Sequence, residues 1–358
     1  MTDQQNILIE MVDRLFRDAM ASGMPKQRAM DSQDSFWRSL DELGLCDIFS
    51  PEVDGGFGGG WQDAFIVFNL LGYYALPLPV GETIVSRKLL LEAEIDRPAG
   101  ASTIGICQNA LLKTGKTSDK YLFTGKVDAV PWGAYASHVV LACGQGDDQY
   151  LALLPTASAK TVTDFSNEAG EPRCDISFDN AEVIQHRNWP SAVDKVMFYG
   201  ALLRSAQTSG ALESALDSSI SHVNDRIQFG RPLSKFQVIQ HQLAVLAEEA
   251  AAVSCAARSA CSSADNGDPS FEIAAAKIRA NRAVSRATSI AHQVHGAIGI
   301  TREHPLHFST QRMWSWRAEF GNDRYWANYL GRTVLKEGAE NFWKNFTARS
   351  DRGHASNS

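Results

Sequence analysis

At 358 residues the chain is long enough for two or three domains, at roughly 150 residues each. Apolar residues make up 44% and charged residues 21%, an ordinary globular mixture that excludes a disordered chain, a collagen-like repeat and a disulfide-dense scaffold. The net charge of −7 argues against nucleic acid as the main partner, because phosphate backbones need a clustered cationic face. It leaves room for a small anionic ligand held by a few arginines.

Met1–Phe16 spaces Ile7, Leu8, Met11, Val12 and Leu15 as one face of an amphipathic helix and lacks the basic start and cleavage site of a signal peptide. No apolar stretch reaches the ~18 residues a membrane span needs. The six cysteines are scattered without a Cys-x-x-Cys pair, which predicts free thiols in a reducing cytoplasm. Helical patterning runs to about Ile95 and is broken by the glycine-rich loop Pro51–Gly60, too costly in backbone entropy to be helix. From Ser102 to Asn188 the chain reads as strands: Tyr121–Thr124 with a turn at Gly125, Val139–Ala142, Tyr150–Leu154, and Cys174–Asp179 with a turn at Asn180-Ala181. From Ser191 onward, Leu212, Leu216, Ile220, Val223 and Ile227 form one helical stripe. Phe236, Ile239, Leu243, Leu246, Ala250, Val253 and Ala257 form a second. Asp268-Pro269 opens a third helix running to Gly296, and a Trp-rich helical stretch follows Pro305. The expected organisation is α+β: a helical domain over 1–98, a small β domain over 99–190, a four-helix bundle over 191–348, and a loose tail over 349–358.

Two segments carry more than architecture. One is Arg226-Ile227-Gln228-Phe229-Gly230-Arg231-Pro232-Leu233, continuing to Gln237 and His241; the other is Gln293-Val294-His295-Gly296-Ala297-Ile298-Gly299 through Pro305. Both resemble signature stretches of the acyl-CoA dehydrogenase family, and Leu43-Gly44-Leu45 with the following glycine-rich loop resembles its first domain. The resemblance implies an FAD bound between subunits and an acyl-CoA substrate oxidised across its α–β bond, with an electron-transfer flavoprotein as acceptor. By position it implies Arg226 and Gln228 on the pyrophosphate of a neighbour's flavin, Phe229 against the adenosine side and Gln237 near the adenine. Gln293, Gly296 and Ala297 would form a second clasp. A guanidinium fork suits phosphate oxygens, and small residues permit close backbone approach.

The chain departs from the family where the chemistry lies. The family's carboxylate base, which takes the α-proton, usually precedes a glycine in the last bundle segment. Matching Arg317-Ala318-Glu319-Phe320-Gly321 puts Phe320 there, and Glu319 falls one residue, about 100° of helix, away. The other usual position, in the first bundle helix, is Gly200. Glu319 is therefore the one candidate base, conditional on a different local turn. In the middle domain the family's flavin-contacting stretch is replaced by Gly105–Ala110 and Lys113-Thr114-Gly115, and its Trp-Thr pair by Val130-Pro131-Trp132-Gly133. Motifs that serve a neighbour's flavin are kept while those serving the chain's own are eroded. This resembles the short, base-lacking subunits of heteromeric α2β2 dehydrogenases of bacterial steroid and bulky-acyl degradation, with a homotetramer as the other arrangement. Two rival expectations are a flavin monooxygenase or oxidase on the same fold, and a non-catalytic partner of a paralogous dehydrogenase.

Other features point to structure. His292, His295, Glu303, His304 and His307 lie close in sequence but match no metal-ligand spacing, so packing and capping are expected and no metal. The glycine run lacks the Gly-Lys-Ser/Thr ending of a phosphate loop and is either a loop near the acyl entrance or a plain connector. Trp314, Trp316, Trp326 and Trp343 are expected in the core or at an interface. Arg312, Arg317 and Arg324 form the late basic cluster, suited to cofactor phosphates or to an interface.

Overall fold

The computed structural model describes residues 2–22, 34–115 and 120–351. Four helices come first: α1 (Asp3–Ala21), α2 (Asp34–Glu42), α3 (Trp61–Tyr74) and α4 (Val80–Glu92). Thr2 caps α1 in a reciprocal box with Gln5, and Leu8, Val12, Phe16 and Ala19 are its buried stripe. The glycine-rich segment folds back compactly on the turn before it. Phe57, Gly58 and Gly59 donate back to the carbonyls of Asp47, Ser50 and Ile48, and a Cβ on Gly56 would overlap Ser50.

Eight strands follow: β1 (Ser102–Cys107), β2 (Leu111–Thr114), β3 (Tyr121–Pro131), β4 (His138–Gln145), β5 (Asp148–Pro155), β6 (Thr161–Ser166), β7 (Pro172–Glu182) and β8 (Gln185–Asn188). They make two four-stranded sheets, β1-β4-β5-β8 and β2-β3-β7-β6. The sheets enclose a core that includes Phe123, Val127, Val139, Leu141, Leu154, Ile176 and Phe178. Alternate residues of the first sheet, including Ile104, Val140, Ala142, Leu151 and Leu153, instead join the core shared with the helices. That double burial is why β4 reads as an unbroken apolar run. β1 and β4 pair in parallel. Two strand expectations change. β3 continues through Gly125, where a Cβ would come within 2.8 Å of the Cys107 sulfur, so this glycine allows the two sheets to approach. β7 continues through Asn180, whose φ of +54° absorbs an extra residue as a bulge.

The C-terminal domain is built on three long helices, α5 (Ala192–Asp225), α6 (Gln237–Asn266) and α7 (Ser270–His295). They are followed by α8 (Leu306–Ala318), α9 (Asp323–Glu337) and α10 (Ala339–Asp351), with α8 packed on α5 and α7. The Asp268 carboxylate accepts the Ser270 amide at the start of α7. The first stripe ends early, because Ile220 is half exposed and Ile227 lies beyond α5. Trp316 and Trp326 are buried, whereas Trp343 is exposed. Arg349, expected in the tail, ends in α10 paired with Glu272 at 3.1 Å; residues 352–358 lie outside the described residues. Among the described residues all six cysteines are free, and no helix is long and apolar enough to cross a membrane.

α3 crosses α5 with backbones nearly touching: a Cβ on Gly72 would overlap the Gln207 carbonyl, and one on Gly210 the Asn69 carbonyl. The Asp265 carboxylate, near the end of α6, also accepts the amides of Trp61 at 2.6 Å and Gln62 at 3.1 Å, satisfying the start of α3. Gly210→Ala is expected to destabilise the fold by about 1–3 kcal/mol in a denaturant titration, because neither partner is a flexible side chain. Gly331→Ala in α9, with open space around its Cα, should instead be neutral or gain about 0.5–1 kcal/mol of helix propensity.

Candidate functional site

At the end of α5 the backbone turns out of helix at Arg226 and forms a two-residue hairpin between β9 (Ile227–Gln228) and β10 (Arg231–Pro232). Its turn residues, Phe229 and Gly230, have φ values of +54° and +79°, the doubly left-handed geometry of a tight hairpin. Glycine takes this conformation freely; phenylalanine does so at a cost. The Phe229 ring is 91% exposed, touching Phe236 edge-on at 6.1 Å between centroids, so little burial offsets that strain. Arg231 lies over the other aromatic ring, Phe236, at 4.2 Å. Gln237 opens α6 immediately after it.

The second motif arrives at the same end of the bundle. α7 stops at His295, and Gly296 takes a φ of +63° that glycine tolerates. The rings of His222 in α5 and His295 in α7 stack at 4.8 Å, fixing the two helix ends side by side. Arg226, Gln228, Phe229, Gln237, Gln293, Gly296 and Ala297 are all exposed. The seven residues singled out for a cofactor thus face outward from one end of this chain. Their guanidinium, amide groups, open glycine and uncovered ring are donors and surfaces of the kind a dinucleotide uses.

Gly200 and Phe320, the two positions at which the resemblance would put a base, meet in space. A Cβ added to Gly200 would collide with the ring of Phe320, so the phenyl group lies directly on the α5 backbone. Phe320 and Gly321 have φ values of +50° and +93°, and the Phe320 carbonyl accepts the Trp326 indole N–H at 2.9 Å, which fixes the turn after α8. A phenyl ring can neither take nor give a proton.

Glu319 is turned toward two arginines. Its Oε1 accepts from Arg173 Nε at 3.0 Å and its Oε2 from Arg204 Nε at 2.7 Å. Arg204 also pairs with Glu82 at 2.7 Å, and Arg173 with Glu171 at 3.2 Å. Glu171 further accepts from Arg312 and, at 3.1 Å, from the Trp316 indole. Three carboxylates thus alternate with three guanidinia from α4, β7 and its preceding turn, α5, and the α8 segment. Five of the six side chains are no more than 6% exposed, and Glu319 is 19% exposed. Burial alone would raise the Glu319 carboxyl, but Arg173 and then Arg204 hold it below the ordinary carboxylate range. Burial likewise raises Glu171, and Arg173, Arg312 and Arg204 overcome it, bringing the carboxyl down to about 2. A carboxylate clamped in this way is a weak proton acceptor.

Arg312 of the late basic cluster is committed to this network, and Arg317 pairs with Asp323 at 3.1 Å. Both are thus engaged within the chain, where the sequence had left cofactor phosphates or an interface open. Lys277, fully buried, donates to the Trp316 carbonyl at 2.6 Å and to Asn281, and so satisfies the C-terminal end of α8; burial pushes its ammonium down to about 7. Trp132 is buried against Tyr135. Among the described residues no group of three or more His, Cys, Asp or Glu is placed to hold a metal ion. The His304 Nδ1 accepts the Leu306 amide, and His307 Nδ1 donates to the His304 carbonyl, so both cap the start of α8.

Glu82, Glu171, Arg173 and Arg204 were not singled out from sequence. The available signal was weak: Arg204 is a lone charge among Ala201, Leu202, Leu203 and Ala206, a setting that requires a buried counter-ion. Replacing Glu171 by Gln leaves Arg173 and Arg312 under-compensated in the interior, and is expected to cost about 3–5 kcal/mol in denaturant titrations at neutral pH. Because the Glu171 carboxyl is depressed in the folded state, its stabilisation is complete above pH ~4.5 and is lost as pH falls toward about 2. The Gln variant should lose this part of the acid sensitivity; an unchanged denaturation midpoint would contradict the network's role.

Comparison with known proteins fits this geometry. Residues 189–335 match the family model described as acyl-CoA dehydrogenase, C-terminal domain. The acyl-CoA dehydrogenase IpdE2 of Mycobacterium tuberculosis is 26% identical over 295 residues, covering 82% of this chain and 84% of that protein. Among solved structures, the ChsE4–ChsE5 complex from M. tuberculosis aligns with a TM-score of 0.82 at 20% identity, covering 94% of this chain and 98% of its counterpart. The Tcur3481–Tcur3483 steroid acyl-CoA dehydrogenase, as a G363A variant, aligns at 0.81 and 21% identity, with 94% and 99% covered. The helical–β–helical order, the matched C-terminal domain and these relatives agree: residues 189–335 are an acyl-CoA dehydrogenase C-terminal domain, and over most of its length the chain is similar to acyl-CoA dehydrogenases.

Proposed function

We propose that this chain is the base-lacking subunit of an FAD-dependent acyl-CoA dehydrogenase, working beside a paralogous subunit that carries the glutamate. The observation that carries this reading is a contrast within one molecule. The place where the family's two base positions meet is filled by the Phe320 ring on Gly200, while seven dinucleotide-type residues face outward from the far end of α5 and α7. The naming of two structural neighbours as two-component assemblies, one of them a steroid dehydrogenase, supports a heteromer and a bulky, steroid-derived acyl group.

In this reading the residues below would hold FAD, whose chemistry would be to take the β-hydrogen of the acyl thioester as hydride, with an electron-transfer flavoprotein as the acceptor of the two electrons. This chain's part is to hold and orient. Arg226 and Gln228 would offer N–H donors to the diphosphate, and the exposed Phe229 ring would serve the adenosine side. Gln237 would serve the adenine, and the Gln293, Gly296 and Ala297 segment would form a second clasp. Glu319 stays ionised between Arg173 and Arg204 and takes no proton, so removal of the α-proton falls to the partner subunit.

In the co-expressed complex, Arg226→Ala should weaken flavin retention roughly ten- to hundredfold, the range for losing hydrogen bonds to a charged group. Visible absorbance after desalting reads this directly. Full flavin retention with unchanged assembly would show that the hairpin serves only as a subunit contact.

A further inference from the structure

The end of the bundle holds a cleft that none of the cofactor residues explains except Arg226. It has a volume of about 410 Å³ and is lined by Ser218, Ser221, His222, Asp225, Arg226 and His304. Behind it sits His295, whose ring stacks on His222 at 4.8 Å and meets His304 at 4.6 Å. The proton positions follow from the partners. His295 Nδ1 lies 2.8 Å from the Ala291 carbonyl, which can only accept, so that nitrogen carries the proton and Nε2 accepts from Ser218 at 3.2 Å. His304 Nδ1 accepts the Leu306 amide at 3.2 Å, leaving its proton on Nε2. His292 and His307 complete the surroundings, the first bonded to Thr310 and the second to the His304 carbonyl.

We propose that this cleft binds a diphosphate group, with Arg226 giving the fixed charge and His222 and His304 acting as donors that take up a proton as the anion binds. The inference rests on the reading of Arg226 as a phosphate ligand and adds two residues to it. The lining offers one guanidinium and two imidazoles against the single carboxylate of Asp225, while the Ser218 and Ser221 hydroxyls already donate to His295 Nε2 and to Asp225. In the free protein the charged imidazoles are disfavoured. Burial and then Arg226 lower His222, opposed by Asp225; burial, then His222, His307 and His292, lower His304. His295 is pushed down to about 4 by burial, helped by His304, His222 and His292 and opposed by its bond to Ala291. A dianion in the cleft reverses this balance, because an opposite charge within a few ångströms favours the charged imidazole. The imidazole pKa is then higher in the complex than in the free protein, so binding strengthens as pH falls between the two values.

All these donors come from one chain, so ADP, which carries the diphosphate shared by FAD and CoA, is the probe. Calorimetric titration of ADP into the full chain between pH 8 and 6 should show Kd falling by up to about tenfold per pH unit for each proton taken up. His222→Phe and His304→Phe keep an aromatic ring and should bind with a flattened pH slope, whereas Asp225→Asn should bind more tightly. Tighter binding of FAD than of CoA assigns the cleft to flavin, and the reverse assigns it to the acyl carrier. If wild type binds ADP, Arg226→Ala abolishes binding and the pH slope is zero, the imidazole inference fails while Arg226 stands. If wild type binds no ADP at any pH, both fail.

Discussion

Three carboxylates and three guanidinia, alternating and almost wholly removed from water, join the parts of this molecule that sequence separates most widely. Glu82 comes from the helical N-terminal region and Glu171 and Arg173 from the edge of β7. Arg204 comes from the middle of α5, and Arg312 and Glu319 from the last helices. Each charge taken from water needs a partner with good geometry, and the set is balanced three against three. The network therefore fixes how the β region meets the bundle. It also holds Glu319, the candidate base in sequence, as a counter-ion.

The same junction explains why a phenyl ring is tolerated where chemistry would be expected. With Glu319 drawn toward Arg173 and Arg204, the next residue enters the left-handed region and lays its ring on Gly200. The Arg204 guanidinium lies 5.8 Å from the centres of both the Phe320 and Trp316 rings, so the ring also shields the ion pairs. At the far end of α5 the balance is reversed. There an aromatic residue accepts backbone strain and remains uncovered, the pattern of a surface shaped for something outside the chain.

Much of this was legible in sequence. The periodicity of α5 and α6 and the strands β3, β4, β5 and β7 followed from apolar spacing, because burial against a neighbour imposes that spacing, and α7 followed from its Asp268-Pro269 start. The two motifs were legible as residues, and their meeting at one end of the bundle depends on α6 and α7 running out and back to the end of α5, which spacing alone does not give. The turns assigned at Gly125 and Asn180-Ala181 were misplaced for one reason: a glycine or a left-handed asparagine marks a close approach or a bulge as readily as a chain reversal. The ion network was least legible, since its partners lie up to 146 positions apart and each looks like an ordinary charge in its own segment.

The central claim is that this chain completes a flavin site without supplying the proton acceptor. The flavin content and reactivity of the purified chain, with and without a glutamate-bearing paralogue, test it most directly. The account predicts that the chain alone retains less than one FAD per chain and gives no flavin reduction with acyl-CoA, and that both appear when the partner is present. One FAD per chain in a homotetramer, reduced by acyl-CoA and re-oxidised by an acceptor, would contradict it.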